Sequence, residues 1–167
     1  MTDPVCVNSY TLTKKLFYEA NGLVYRDKNG KLLNLLFAGL GALWAVLTGA
    51  ALWNGDGIVL AFLELAALLI AWLWANVVIP NGKAKRAWEK VSDPERTVSF
   101  YDNGLEVETG ERSLTVKYGE IVRTLKGKNT LVLITDSNSG IILTRGGFTK
   151  GSETSALEII KGAENDD

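Results

Sequence analysis

The 167-residue sequence has no histidine and only one cysteine, Cys6. Without an imidazole, the usual general-base and nucleophile-activation schemes have no base. His-containing zinc sites are excluded, and one thiol cannot form a Cys-only site or an intramolecular disulfide. Neither sign of charge dominates: 18 Lys and Arg face 19 Asp and Glu, for a formal net charge of -1. That balance argues against nucleic-acid binding. A phosphate-binding P-loop is also missing, and Gly39-Leu40-Gly41 lies inside an apolar run where glycine serves packing. The expectation is a chain that is not an enzyme, with no catalytic, cofactor-binding or metal-binding residues. The length suits one ordinary domain or a small domain plus a membrane anchor.

What the sequence does have is segregation. Residues 32–53 carry no charge, and residues 58–79 carry one, Glu64. Each stretch is long enough to cross a hydrocarbon core of about 30 Å at about 1.5 Å per residue. A buried helix of a soluble domain is usually shorter and striped. The second stretch holds 13 Leu, Ile, Val and Phe residues, each favouring insertion by about 0.3–0.6 kcal/mol. Their sum outweighs the cost of about 3 kcal/mol for one central carboxylate. A signal peptide is a poor alternative reading of the first stretch, whose apolar run is too long, starts about 30 residues in and is followed at once by a second.

Lys14, Lys15, Arg26, Lys28 and Lys31 precede the first run, and Lys83, Lys85, Arg86 and Lys90 follow the second. The link Asn54-Gly55-Asp56-Gly57 has no basic residue. By the positive-inside rule both termini are cytosolic and the link is external, with Trp53 at the outer interface. The expected localisation is a bacterial plasma membrane, crossed twice. So short a link makes the spans an antiparallel hairpin over residues 32–80. Ala38, Ala42, Ala45 and Gly49 on one helix, and Ala67, Ala71 and Ala75 on the other, are the expected packing faces. Glu64 shares the second face and stands near the level of Thr48, so a polar contact between the two inside the hairpin, or a contact in an oligomer, is expected. A homodimer through the spans is a further expectation, because a two-helix hairpin has little interior of its own.

Residues 1–31 read as a cytosolic strand near Val5–Leu12 and an amphipathic helix. Thr13 caps the helix, Leu16, Ala20, Leu23 and Val24 form its stripe, and Asp27-Lys28-Asn29-Gly30 ends it. Two placements are open for this helix: on the membrane surface or against the C-terminal domain. Residues 81–96 read as a basic linker. Its cluster Lys83, Lys85 and Arg86 is either a contact for anionic lipid, at about 1 kcal/mol per charge, or a plain topology signal.

From residue 97 the pattern changes to short strands separated by turn residues, near 97–101, 105–109, 113–117, 121–126, 130–135 and 141–145. A helix capped by Ser152 runs to about Lys161 and ends at Gly162. An acidic tail, residues 163–167, closes the sequence. The fold class is an α+β integral membrane protein: a two-helix transmembrane hairpin plus a cytosolic antiparallel β domain, residues 97–162, closed by a C-terminal helix in a pleckstrin-homology-like (PH-like) plan. The acidic residues Asp102, Glu106, Glu108 and Glu111 lack calcium-loop spacing and read as a solvated edge. Lys128 and Arg145 stand beside glycine turns where a phosphate can sit, but residues 97–167 carry 8 basic and 11 acidic side chains. That balance argues against a phosphoinositide-type pocket.

Three elements carry a family resemblance: Phe100-Tyr101-Asp102 at a strand end, Tyr118-Gly119-Glu120-Ile121 at a corner, and Arg145-Gly146-Gly147-Phe148 before the last helix. With two spans and a basic linker ahead of them, the sequence resembles the YcxB-like family of small bacterial membrane proteins. The resemblance implies a membrane-anchored cytosolic domain of PH-like type and carries over no catalytic or ligand-binding residue. Tyr118, Ile121 and Phe148 are the expected core positions. The function expected is a membrane-anchored protein-interaction domain with a protein partner and the lipid bilayer as its surroundings. The alternative is a membrane immunity protein that neutralises a cognate bacterial toxin.

Overall fold

The computed structural model describes residues 3–53 and 57–164. The chain divides into two compact units, one of Met1–Val24 with Ala84–Asp167 and one of Tyr25–Lys83. Together they make an α+β protein with two long apolar helices, antiparallel sheets and a C-terminal helix.

The first unit is built on eight strands: β1 Cys6–Thr11, β2 Glu95–Tyr101, β3 Gly104–Thr109, β4 Arg112–Lys117, β5 Ile121–Lys126, β6 Thr130–Thr135, β7 Gly140–Thr144 and β8 Phe148–Lys150. They form a five-stranded sheet in the order β4-β3-β2-β1-β8 and a three-stranded sheet in the order β5-β6-β7. The β2-β3-β4 and β5-β6-β7 meanders follow from their short turns, which permit only antiparallel neighbours. Strand β1 corrects the expected domain boundary. It pairs antiparallel with β2, Cys6 opposite Phe100 and Asn8 opposite Val98, so the domain is not confined to residues 97–162. Its sheet is completed by a strand that precedes the apolar hairpin in the sequence. Strand β8, also unexpected, pairs with the other side of β1.

The two sheets share one core. Cys6, Val98, Phe100, Leu105 and Val116 from the larger sheet meet Ile121, Leu131, Leu133, Ile141 and Leu143 from the smaller. Helix α4, Glu153–Glu164, adds Ala156 and Ile160. Its cap is as expected, with the Ser155 amide donating to Ser152 Oγ at 3.1 Å. The helix runs past Gly162, however, because one glycine costs only about 1 kcal/mol in a helix and does not by itself end one. Gly151, just ahead of α4, has φ +73° and lies against the Cys6 thiol, where a Cβ would come within 2.8 Å of Sγ.

Helix α1 spans Lys14–Trp53 without a break, which overturns the expected stop at residues 27–30. Asn29 Nδ2 donates to the Tyr25 carbonyl one turn back, at 3.1 Å. Its side chain therefore supports the helix that it was expected to end. Thr13 caps α1 through the Leu16 amide. The first turns of α1 settle the choice left open by the sequence: Ala20, Leu23 and Val24 pack on Val132, Ile134, Leu125 and Ile142, the outer face of the small sheet. Both faces of β6 are thus covered, and all six of its residues are buried. This is why its sequence, Thr-Leu-Val-Leu-Ile-Thr, does not alternate with polar residues.

The second unit holds the rest of α1 and the helix α2, Ile58–Leu73, which continues through a π-helical turn at Trp74–Val78 into α3, Ile79–Trp88. The expected linker 81–96 is therefore helical as far as Trp88. The link residues 54–56, the Trp53 side chain and the tail residues 165–167 lie outside the described residues. Both helical segments are long and apolar enough to cross a membrane. Tyr25 donates to the Ala75 carbonyl inside the π-turn at 3.2 Å, a group that such a turn releases from its regular helical partner. The half-buried stripe on α1 is Leu33, Phe37, Gly41, Trp44 and Thr48, and on α2 Ala61, Leu65 and Leu68. Ala38, Ala42, Ala45, Gly49, Ala67 and Ala71, expected at the contact, are exposed. A Cβ added at Gly39, Gly41 or Gly49 would meet nothing within 4 Å. The half-buried stripes mix large side chains with Gly41 and Ala61 and do not coincide with the expected small-residue faces.

Candidate functional site

Glu64 and Thr48 line, with Trp44, Leu47, Gly57, Leu60 and Ala61, a cleft of about 300 Å³ between the two apolar helices. No hydrogen bond joins Glu64 to Thr48 among the described residues, and Glu64 is exposed rather than enclosed. The indole Nε1 of Trp44 is buried there without a hydrogen-bond partner among the described residues. The basic cluster divides between the units. Lys83 belongs to the hairpin unit, where its ammonium lies 5.4 Å from the Tyr25 ring centroid. Lys85 and Arg86 are exposed at the end of α3, in the sheet unit.

A second concavity lies in the sheet unit. Strand β5 pairs with β6 alone among the described strands, and a groove of about 280 Å³ runs between its open edge and α4. Ile121, Val122, Arg123, Thr124 and Lys126 line it from the strand, and Leu157, Ile160 and Lys161 from the helix. Successive strand residues point to opposite faces, so a lining that includes four in a row runs along the edge and not over one face. The register with β6 shifts between Ile121 and Arg123. At that bulge Val122 is turned outward, 56 % exposed. Every charged side chain lining the groove is basic, although the domain as a whole carries an acidic excess.

The remaining polar groups brace the frame. Buried Asn8 acts as a piece of strand between the sheets: its Nδ2 donates to the Thr144 carbonyl at 2.8 Å, and its Oδ1 accepts from the Thr144 amide at 3.1 Å. Tyr10 donates to the Ile142 carbonyl. Burial pushes the Tyr10 phenol far above its ordinary pKa. The Glu19 carboxylate, on α1, accepts from the Asn129 and Thr130 amides, Asn129 Nδ2 and Thr130 Oγ1, at 2.7–3.2 Å. Partial burial opposes its charge, but the four hydrogen bonds outweigh that effect and hold the carboxyl below its usual range. The contact is close enough that a Cβ at Gly127 would come within 2.5 Å of Glu19 Oε1. Arg145 grips Glu153 with two hydrogen bonds, 2.7 and 3.1 Å long. The hydrogen bonds from Arg145 lower the Glu153 carboxyl pKa. The thiol of Cys6 is pushed up by burial.

Each resemblance element thereby acquires a structural reason. Phe100 is core, and Tyr101 offers its carbonyl to the Tyr118 hydroxyl at 2.6 Å. Burial raises the Tyr118 phenol to about 12. Ile121 is core, Phe148 packs against the core, and Arg145 ties the β7–β8 turn to α4. Sequence reading missed Glu19, which lies outside the apolar stripe of Leu16, Ala20, Leu23 and Val24, and the β5 groove. The visible signals were the exposed-type pair Arg123 and Lys126 on a strand beside the apolar Ile121-Val122. Among the described residues, no group of three or more Cys, Asp or Glu side chains is arranged to hold a metal ion.

The fold and these contacts define a class: a two-sheet domain closed by a C-terminal helix, joined through continuous helices to a pair of long apolar segments. The family model of YcxB-like protein matches residues 100–159. The match falls within the sheet unit and includes all three elements that carry the resemblance. A comparison with curated proteins gives no match. Two solved structures, the Myosin VII MyTH4-FERM MF2 domain of Dictyostelium discoideum and its mutant 1, are similar at 10 and 11 % identity with TM-scores of 0.30 and 0.29. They cover 92 and 94 % of this chain, which spans 33 and 35 % of theirs. Scores of that size carry no fold assignment.

Proposed function

We propose that this chain is a non-enzymatic bacterial membrane protein that presents a cytosolic, PH-like protein-interaction domain. The observation that carries the membrane part is the apolar surface of the hairpin. Leu32, Leu35, Val46, Val59, Phe62, Leu63 and Ile70 are 62–71 % exposed. In water, leaving a large apolar side chain exposed forfeits about 1.5–3 kcal/mol relative to burying it, and soluble monomers avoid contiguous patches of this kind. In a bilayer the same surface is solvated. The basic residues flanking both runs favour cytosolic ends. The PH-like part is supported by two antiparallel meanders and a C-terminal helix on one core. Strand β1 arrives from ahead of the hairpin, so the hairpin reads as an insertion within the domain.

The test is affinity purification of the tagged protein from its native membranes after mild crosslinking, with mass spectrometry. A stoichiometric protein partner that is lost when the sheet unit is destabilised by Phe100→Ala supports the interaction reading. Recovery of a toxin would replace it with the immunity reading. Recovery of the protein alone would contradict a constitutive partner.

A further inference from the structure

The geometry points to Tyr25 as the latch of a hinge in the second helical run, where the π-turn Trp74–Val78 meets Pro80. Such a latch acts whether or not the sheet unit has a partner, and so goes beyond the interaction reading above. Its origin lies in the hydrogen-bond ladder. The Ile79 amide donates to the Trp74 carbonyl, five residues back. In a regular α-helix it would serve Ala75 instead. The next amide in line for the Ala75 carbonyl would come from residue 80, and Pro80 has no N–H. Ala75 is thus left without a helical donor, and the Tyr25 hydroxyl supplies one from α1 at 3.2 Å. Pro80, which is buried, also accounts for where the turn falls. In a regular helix its ring would press on the carbonyl of Asn76, four residues back, and the wider π-turn just ahead of it spaces that contact.

The same tyrosine holds the far side of the break. The Lys83 ammonium, three residues beyond Pro80, lies 5.4 Å from the Tyr25 ring centroid, within range of a cation–π attraction. One side chain therefore grips the run both before and after Pro80. Tyr25, Ala75 and Lys83 all belong to the hairpin unit. The break itself lies on the covalent path from α2 to Ala84, where the sheet unit resumes. Long helices bend where the ladder is interrupted, at prolines and π-turns above all. A hinge of that kind has one state favoured by whatever contact is made only there. With the Tyr25 hydroxyl engaged, the turn is fixed; with it released, the Ala75 carbonyl seeks another donor and the run bends at Pro80.

The experiment uses the full chain in detergent micelles, with Cys6→Ser as background and spin labels at Leu63→Cys and Asn81→Cys, exposed positions on either side of the turn. Double electron–electron resonance reads the distance distribution across the turn, and amide hydrogen exchange reads residues 77–83. With Tyr25 and Pro80 both present, one narrow distribution is expected. Tyr25→Phe keeps the ring for Lys83 and removes only the hydroxyl. It should broaden the distribution or add a second population, and speed exchange by about tenfold, the scale of one hydrogen bond. Pro80→Ala supplies the missing amide and lets the ladder close on Ala75, so in that background Tyr25→Phe should change neither readout. That dependence separates a latch from a general packing role, which would lose as much in either background. If Tyr25→Phe alone does not give folded protein, the double variant Tyr25→Phe/Pro80→Ala should restore it. An unchanged distribution and exchange in Tyr25→Phe, equal losses with and without Pro80, or a double variant that fails to fold where Pro80→Ala folds would each overturn the latch.

Discussion

The two units treat the same kinds of side chain in opposite ways. In the sheet unit Phe100, Leu105, Leu133 and Leu143 are wholly buried. In the hairpin unit Leu35 and Val46 stand 71 and 70 % exposed. One unit encloses its apolar side chains, and the other leaves them uncovered by the described residues. Polar groups diverge too. Asn8 and Tyr118 in the sheet unit each have a protein partner, whereas the buried Nε1 of Trp44 in the hairpin has none among the described residues. The lesson is that composition alone does not locate a core. What matters is whether an element can turn its apolar face toward other elements of the same chain.

The contrast can be broken most severely from the sheet side. Phe100→Ala should destabilise the sheet unit by about 3–5 kcal/mol, read as faster amide exchange across β2 and β6 in nanodiscs, with little change in α2. Next in size is Leu35→Lys. If lipid is the solvent, it costs insertion about 2.5–3.5 kcal/mol at the helix centre, seen as a loss of membrane-integrated protein. At a water-facing position the change would be within about 0.5 kcal/mol. Asn8→Ala strands the buried amide and carbonyl of Thr144 and should cost about 1–3 kcal/mol, measured as a drop in the chemical-denaturation midpoint of the sheet unit.

Glu19→Gln should cost about 1–2 kcal/mol at neutral pH, since a neutral amide accepts less strongly and brings unwanted donors. Its pH dependence sharpens the test. The folded-state carboxyl pKa is lowered, so the unfolded state binds the proton more readily. The stabilisation is present above the ordinary carboxylate range and is lost as pH falls through the folded value. The wild-type advantage over Glu19→Gln should therefore shrink as denaturation midpoints are taken from pH 7 toward acid. The smallest effect is expected at Gly49→Ala. Nothing lies within 4 Å of the added Cβ, so the outcome is neutral or stabilising by up to about 1 kcal/mol through helix propensity. A clear loss of hairpin stability would mean that Gly49 lies in a close-packed seam.

Local signals were legible where local physics decides. The turns bounded β5 and β6 at the residues observed, and Thr13 and Ser152 cap as their chemistry predicts. Strand β1 was visible as a strand but not as part of the β2 sheet, because pairing across the whole hairpin leaves no local mark. The turn-like residues Asp27–Gly30 misled, because packing on both sides of them outweighs a few weak helix propensities. The small-residue stripe misled for a related reason: spacing locates a face but not the partner that covers it. Glu64 and Thr48 were placed at one level and do share a cleft, without the bond expected between them. The β5 groove was invisible because it arises from an edge and a helix brought together only by the folded core.

The most direct test of the central claim, two passes through a membrane with the sheet unit inside, is labelling of single cysteines by a membrane-impermeant maleimide in intact cells. With Cys6→Ser as background, Asn54→Cys in the link should react from outside, while Lys150→Cys, at an exposed position of β8, should react only after lysis. Labelling of Lys150→Cys in intact cells, or protection of Asn54→Cys until lysis, would contradict the account.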